Sequence, residues 1–140
     1  MNKRTSRTKA SFDKQRRGYK AALKGKDFEK KVGEFLSRRG YKISFEKPVG
    51  KDKFDVFGKR YDEYDNAEYC IAECKDKSRV TATDLHHFMG KLRRFYDRLP
   101  VPDFGETLEV QGLFAYTGEL PGDARDVVKG FKPFIKFKQF

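Results

Sequence analysis

Apolar positions along the chain recur with two different periods. Phe28, Val32, Phe35 and Leu36 fall on one face at helical spacing and predict a helix over Asp27–Arg39, with Gly40 as its C-terminal cap. Tyr41, Ile43 and Phe45 then alternate with polar residues over Tyr41–Lys47, as in a strand, and Pro48 and Gly50 are expected to break it. Phe54–Tyr61 predicts a second strand. Asp65-Asn66 marks a turn at the tip of an acidic hairpin, Asp62–Asp65, and Glu68–Lys75 returns as a central, mostly apolar strand. Leu85, Phe88, Met89, Leu92, Phe95, Tyr96 and Leu99 form the apolar stripe of a long helix, capped by Thr81 or Thr83 and stopped by Pro100 and Pro102. Leu108–Tyr116 predicts a further strand and Gly122–Lys129 a short helix. Phe134–Phe140, which alternates aromatic and basic residues, reads as a last strand or a tail.

The resulting order is helix, strand, strand, strand, helix, strand, with a small C-terminal addition. Short links allow the first three strands to pair as an antiparallel meander. The long helix then crosses over to the next strand, giving an α/β sandwich around a mixed sheet. No internal repeat and no linker divides the chain, so one domain is expected for 140 residues.

Charge sharpens this picture. The net charge of +11 favours an anionic partner. Met1–Lys20 carries eight lysines and arginines against one acid, Asp13. Residues 1–24 therefore read as a basic arm, and 25–140 as the folded domain. Lys3, Arg4, Arg7, Lys9, Arg16 and Arg17 are its candidate nucleic-acid contacts. No apolar stretch approaches the roughly 18 residues of a spanning helix, and no signal-peptide core follows the basic start. A cytoplasmic, nucleic-acid-associated protein without membrane contact is expected. Cys70 and Cys74, four apart in one strand, are poorly placed for a disulfide and read as buried thiols.

The chemistry concentrates in acids placed among apolar residues. Glu73-Cys74-Lys75 closes the buried run Tyr69-Cys70-Ile71-Ala72, and strand alternation points Glu73 and Lys75 to one side. Asp55 lies within Phe54-Asp55-Val56-Phe57, and Glu29 follows Phe28 on the first helix. Charges in such settings are expensive without a task. Hard cations take oxygen ligands, so Asp55 and Glu73, with the Cys74 backbone carbonyl, could converge on Mg²⁺, and Glu29 could hold a ligand water or a second ion. Lys75 would orient or activate a water and neutralise charge on a phosphate. Lys51, Lys53, Lys77 and Arg79 flank this set as candidate DNA contacts. Asp52, in a Gly-Lys-Asp-Lys setting, reads as a loop acid. Lys91, Arg93, Arg94 and Arg98 cover the polar face of the long helix, read as solvated with nucleic-acid backbone contact as the functional option, and His86 and His87 read as surface or phosphate-contacting residues.

Phe54-Asp55 with Glu73-Cys74-Lys75, preceded by the helical Gly25-Lys26-Asp27-Phe28-Glu29, resembles the PD-(D/E)XK nuclease superfamily. The resemblance covers Gly25 to about Tyr116. It implies a restriction-endonuclease-like α/β fold, a mixed sheet with helices on both faces and core order α-β-β-β-α-β. It further implies Asp55 and Glu73 as metal ligands, Lys75 as the catalytic lysine and Glu29 as the helical acid. The cofactor would be Mg²⁺, with Mn²⁺ as a substitute. Two branches look most similar: the Holliday-junction resolvases, small basic homodimers acting on branched DNA, and the Mrr-like restriction endonucleases. Phe54 stands where the superfamily name has proline, and the acidic hairpin between Asp55 and Glu73 is long. The expected function is a metal-dependent DNA endonuclease of the junction-resolving type. The alternatives are an Mrr-like restriction enzyme and a catalytically silent DNA-binding module of the same fold.

Overall fold

The computed structural model describes residues 25–100 and 109–140. The candidate arm contacts from Lys3 to Arg17 lie outside them. Helix α1 covers residues 25–37, and Gly40, at φ 89°, reverses the chain where a side chain would be strained. Then follow β1 (Lys42–Val49), β2 (Asp52–Tyr61), β3 (Ala67–Lys75), α2 (Ala82–Arg98), β4 (Glu109–Tyr116), α3 (Ala124–Val128) and β5 (Phe134–Gln139).

The strands form one sheet in the order β1-β2-β3-β4-β5. β1, β2 and β3 pair antiparallel, while β4 joins β3 and β5 joins β4 in parallel. This is the expected mixed sheet with core order α-β-β-β-α-β. The C-terminal segment is a real fifth strand. Pro48 does not end β1: it pairs with Lys53 on an outer strand, where the missing N–H costs no ladder bond.

Helices cover both faces, and β3 shows how its alternation serves them. Ile71 enters a core with Leu85, Phe88, Leu92 and Phe95 of α2, and with Ala124 of α3. Cys70 and Ala72 face the other way, into a core with Phe28, Val32 and Leu36 of α1. Burying each large side chain of α2 contributes about 1.5–3 kcal/mol, so the stripe itself holds the helix to the sheet. Its start is set by a capping box, in which the Thr81 hydroxyl accepts from Asp84 N and the Asp84 carboxylate accepts from Thr81 N. Phe140 closes the α1 side, edge-on to Phe28 and Phe35.

Strand β2 departs from strict alternation at one place. Phe54 and Phe57, three apart, both pack on the α2 side, while Val56 faces α1. The change of face falls at Asp55. On β1 the residue between the paired positions Phe45 and Lys47 is Glu46, which has φ 48°.

Candidate active site

The irregularity at Asp55 builds the site. Pairing of β2 with β3 runs from Tyr61↔Ala67 to Val56↔Ala72 and stops there. Beyond that point the backbone N–H of Cys74 donates to Asp55 Oδ2 at 2.8 Å. A carboxylate thus takes over where the ladder ends, and the two strands part around it.

Three acids meet electrostatically at this gap. Glu29 reaches it from α1, Asp55 from β2 and Glu73 from β3. Burial pushes the Glu29 carboxyl up to about 7, and the charges of Asp55 and Glu46 push the same way against Lys53 and Lys26. Burial also pushes Glu73 up to about 7, followed by the Asp55 charge, against the pull of Lys91. Glu73 is the buried charged residue of the described core, at 5% exposure. The Cys74 thiol is driven far above its ordinary value, by burial first and then by Asp55, Glu29 and Glu73 in turn. Cys74 is therefore the common neighbour of all three carboxylates. Neither cysteine forms a disulfide.

The lysines are arranged differently from expectation. Lys75 lines a cavity of about 430 Å³ together with Glu73, His86, His87, Lys91 and Arg94. Its ammonium lies 4.0 Å from Asp84, which Lys77 holds more closely at 2.6 Å. The cation on Glu73 is instead Lys91 of α2, with Nζ 3.1 Å from Glu73 Oε1 and 3.0 Å from the carbonyl of Lys53. As arranged, no three His, Cys, Asp or Glu side chains among the described residues stand ready to hold a metal ion.

The polar face of α2 is thus not merely solvated. Arg94 makes a two-pronged contact with Asp52, both bonds at 2.8 Å, and Arg98 donates to the Val49 carbonyl. Arg93 pairs with Asp97 and donates to the Lys132 carbonyl. Arg94 and Arg98 thus tie α2 to the β1–β2 hairpin, whereas Arg93 ties it to the segment before β5. The Arg94 pair also makes Asp52 a structural acid rather than a free loop carboxylate, and it holds the Asp52 carboxyl below its usual range.

Sequence reasoning missed Lys91 as a site residue, although a signal existed. It lies three residues after Phe88 and four before Phe95, both buried, so helical spacing sets it at the stripe's border. Among the flanking cations, Lys53 pairs with Glu46 and Arg79 forms a backbone bridge to Glu119. Lys51 lies exposed in the turn between β1 and β2. Among the described residues no helix is long and apolar enough to cross a membrane.

No protein-family model matches the sequence, and no curated protein matches it either. Two solved structures are similar in part. One is a repair endonuclease from Pyrococcus abyssi, at 20% identity and a TM-score of 0.49 over 71% of this chain and 38% of that one. The other is EndoMS in apo form, at 13% identity and a TM-score of 0.43 over 72% of this chain and 38% of that one. The chain matches little more than a third of the length of either structure, and likeness at this level assigns no activity to it.

Proposed function

We propose that this chain is a metal-dependent endonuclease that hydrolyses phosphodiester bonds in DNA. The observation that carries the reading is the meeting of Glu29, Asp55 and Glu73 around Cys74, in a chain of net charge +11. Carboxyls such as Glu29 and Glu73, whose proton affinity is raised by burial and by the Asp55 charge, are a poor way to stabilise a fold, and their charge repels a polyanion. Oxygen donors of this kind, though not drawn together as a ready three-ligand site, are what a hard divalent cation takes. Asp55, Glu73 and the Cys74 carbonyl would hold Mg²⁺, with Mn²⁺ as a substitute. Bound there, the ion would supply charge stabilisation at the scissile phosphate and lower the pKa of water.

The chain's own residues supply the rest. Glu29, with its carboxyl near 7, is suited to take the proton of an attacking water at neutral pH. Lys75 and Lys91, lining the cavity beside Glu73, would hold phosphate oxygens as negative charge grows on them. His86 and His87 offer further donors to the same phosphate. Lys51, Lys53, Lys77 and Arg79 would steady the flanking backbone.

Within this class, a structure-specific enzyme of the junction-resolving type, acting as a homodimer, fits the compact domain and the basic arm. An Mrr-like restriction enzyme is the same-class alternative. The silent DNA-binding module has its own supporting observation, because the Lys91 ammonium on Glu73 neutralises the acid without a metal. One experiment separates them. Labelled four-way junction, linear duplex and single strand are incubated with the protein in Mg²⁺ or EDTA, alongside Asp55→Asn and Glu73→Gln. The endonuclease reading expects Mg²⁺-dependent products from the wild type and none from either variant, with DNA binding in EDTA retained. DNA binding without Mg²⁺- or Mn²⁺-dependent cleavage would establish the silent module instead.

A further inference from the structure

A second feature lies on the β1–β2 hairpin, toward the end away from the acids. A trough of about 630 Å³ is lined by Lys42, Ser44, Lys47, Phe57, Lys59 and Tyr61, together with Gly40 and Arg60. None of its lining residues is acidic. Lys42 and Lys59 stand directly opposite each other across the two strands, with Ser44 opposite Phe57 beside them. Like charges in that position destabilise a sheet. Among the described residues no carboxylate forms an ion pair with Lys42, Lys47 or Lys59, although seven other lysine and arginine side chains have such a partner. Two of these lysines lie beside aromatic rings instead. Lys59 Nζ lies 5.2 Å from the centre of Tyr61 and 5.6 Å from that of Tyr69, and Lys47 Nζ lies 5.6 Å from that of Phe57. Tyr61 itself is 60% exposed.

We infer that this trough binds a single-stranded segment of nucleic acid, with phosphates on Lys42, Lys47 and Lys59 and a base stacked on Tyr61. Uncompensated ammonium groups in a row follow a phosphate backbone, and an exposed ring offers a stacking surface to any base. Only an unpaired base can stack on the exposed Tyr61 ring, which points to a single strand rather than a duplex. An acidic protein segment would satisfy the lysines but would leave Tyr61 without a stacking partner. Asp55 lies six residues along β2 from Tyr61, about 20 Å at strand rise, so the stacking end of the trough holds a part of the substrate remote from the acids, while Lys47, opposite Phe54, lies toward them. The inference rests on the nucleic-acid reading above but not on cleavage.

The test measures fluorescence anisotropy in EDTA with a labelled 15-nucleotide oligo(dT), a 15-base-pair duplex and a poly-glutamate peptide of similar charge. Wild type, Tyr61→Ala and Lys42→Ala/Lys59→Ala are compared from 50 to 300 mM salt, with far-UV circular dichroism confirming that each is folded. All three altered side chains lie on the outer hairpin surface, so folding is expected to persist. The inference expects about 5- to 160-fold weaker oligo(dT) binding by Tyr61→Ala, with its salt slope unchanged. For the double variant it expects weaker binding and a salt slope reduced by about 1.4, from roughly 0.7 for each of two phosphates no longer neutralised. Unchanged oligo(dT) affinity in both variants overturns the trough while leaving the endonuclease reading standing. Equal losses for duplex, or losses confined to poly-glutamate, also overturn it, in favour of a duplex or acidic-protein surface. A wild type that binds no nucleic acid overturns both readings.

Discussion

Lys91→Met tests the central electrostatic claim about the site. The substitution keeps an unbranched stem beside Phe54, over whose ring the ammonium sits at 5.7 Å, and removes only the charge and its donors. In the native protein that ammonium bonds Glu73, whose side chain is 6% exposed against 19% for Lys91. Stripping one partner from a buried pair costs roughly 3–5 kcal/mol when the remaining charge stays ionised. Glu73 can avoid part of that cost by taking up a proton, because its carboxyl is already pushed from 4.5 to about 7 by burial and Asp55. Without Lys91 it moves higher still.

The sign of the pH dependence follows from this shift. A carboxyl whose folded pKa exceeds its unfolded value binds more protons when folded. Its stabilising contribution is full below about 4.5 and is lost as pH rises through about 7. At pH 5.5 the carboxyl is protonated with or without Lys91, so the variant loses only hydrogen bonds, about 1–2 kcal/mol. At pH 8.5 the native carboxylate is ionised and paired, whereas the variant must protonate it or bury it unpaired. The deficit should then widen toward roughly 3 kcal/mol or more. Urea unfolding followed by circular dichroism at the two pH values, for Lys91→Met alone and in a Glu73→Gln background, reads this directly. The pH dependence of the deficit should vanish once Glu73 is replaced. A deficit that is equal at both pH values, or one that persists unchanged in the Glu73→Gln background, would refute the pairing.

Two further outcomes are expected. Deleting Met1–Lys20 removes eight basic residues, so DNA binding should weaken and its salt slope should fall by up to about 0.9 for each phosphate that the arm neutralises, read by anisotropy across a salt series. Gly118→Ala should cost about 1–3 kcal/mol in urea unfolding. Its Cβ would run into the backbone carbonyls of Lys77 and Ser78, the latter accepting from Glu119 N beside the Arg79–Glu119 bridge, and backbone yields less easily than a side chain.

Much of this protein was legible in one dimension, because periodicity is a local property. The spacing of Phe28, Val32 and Leu36, and of Leu85, Phe88, Leu92 and Phe95, set two amphipathic helices, and each packs by the stripe that the sequence displays. The apolar run before Glu73 marked a buried strand, and the meander followed from short links between strands. The acids Glu29, Asp55 and Glu73 stood out because charge among apolar neighbours is costly. Tertiary structure decided what charge does at a distance. Lys91 and Glu73 are 18 residues apart in sequence, and only the docking of α2 against the sheet makes them partners. The same docking turned Arg94 toward Asp52 and left Lys75 near Asp84. The parting of β2 from β3 at Asp55 is accompanied by a left-handed residue on a third strand, Glu46, which no pattern within β2 reveals. Hydrophobic periodicity records which face of an element is buried. Ion pairs depend on where the tip of a long side chain ends, and that is fixed only when the elements pack.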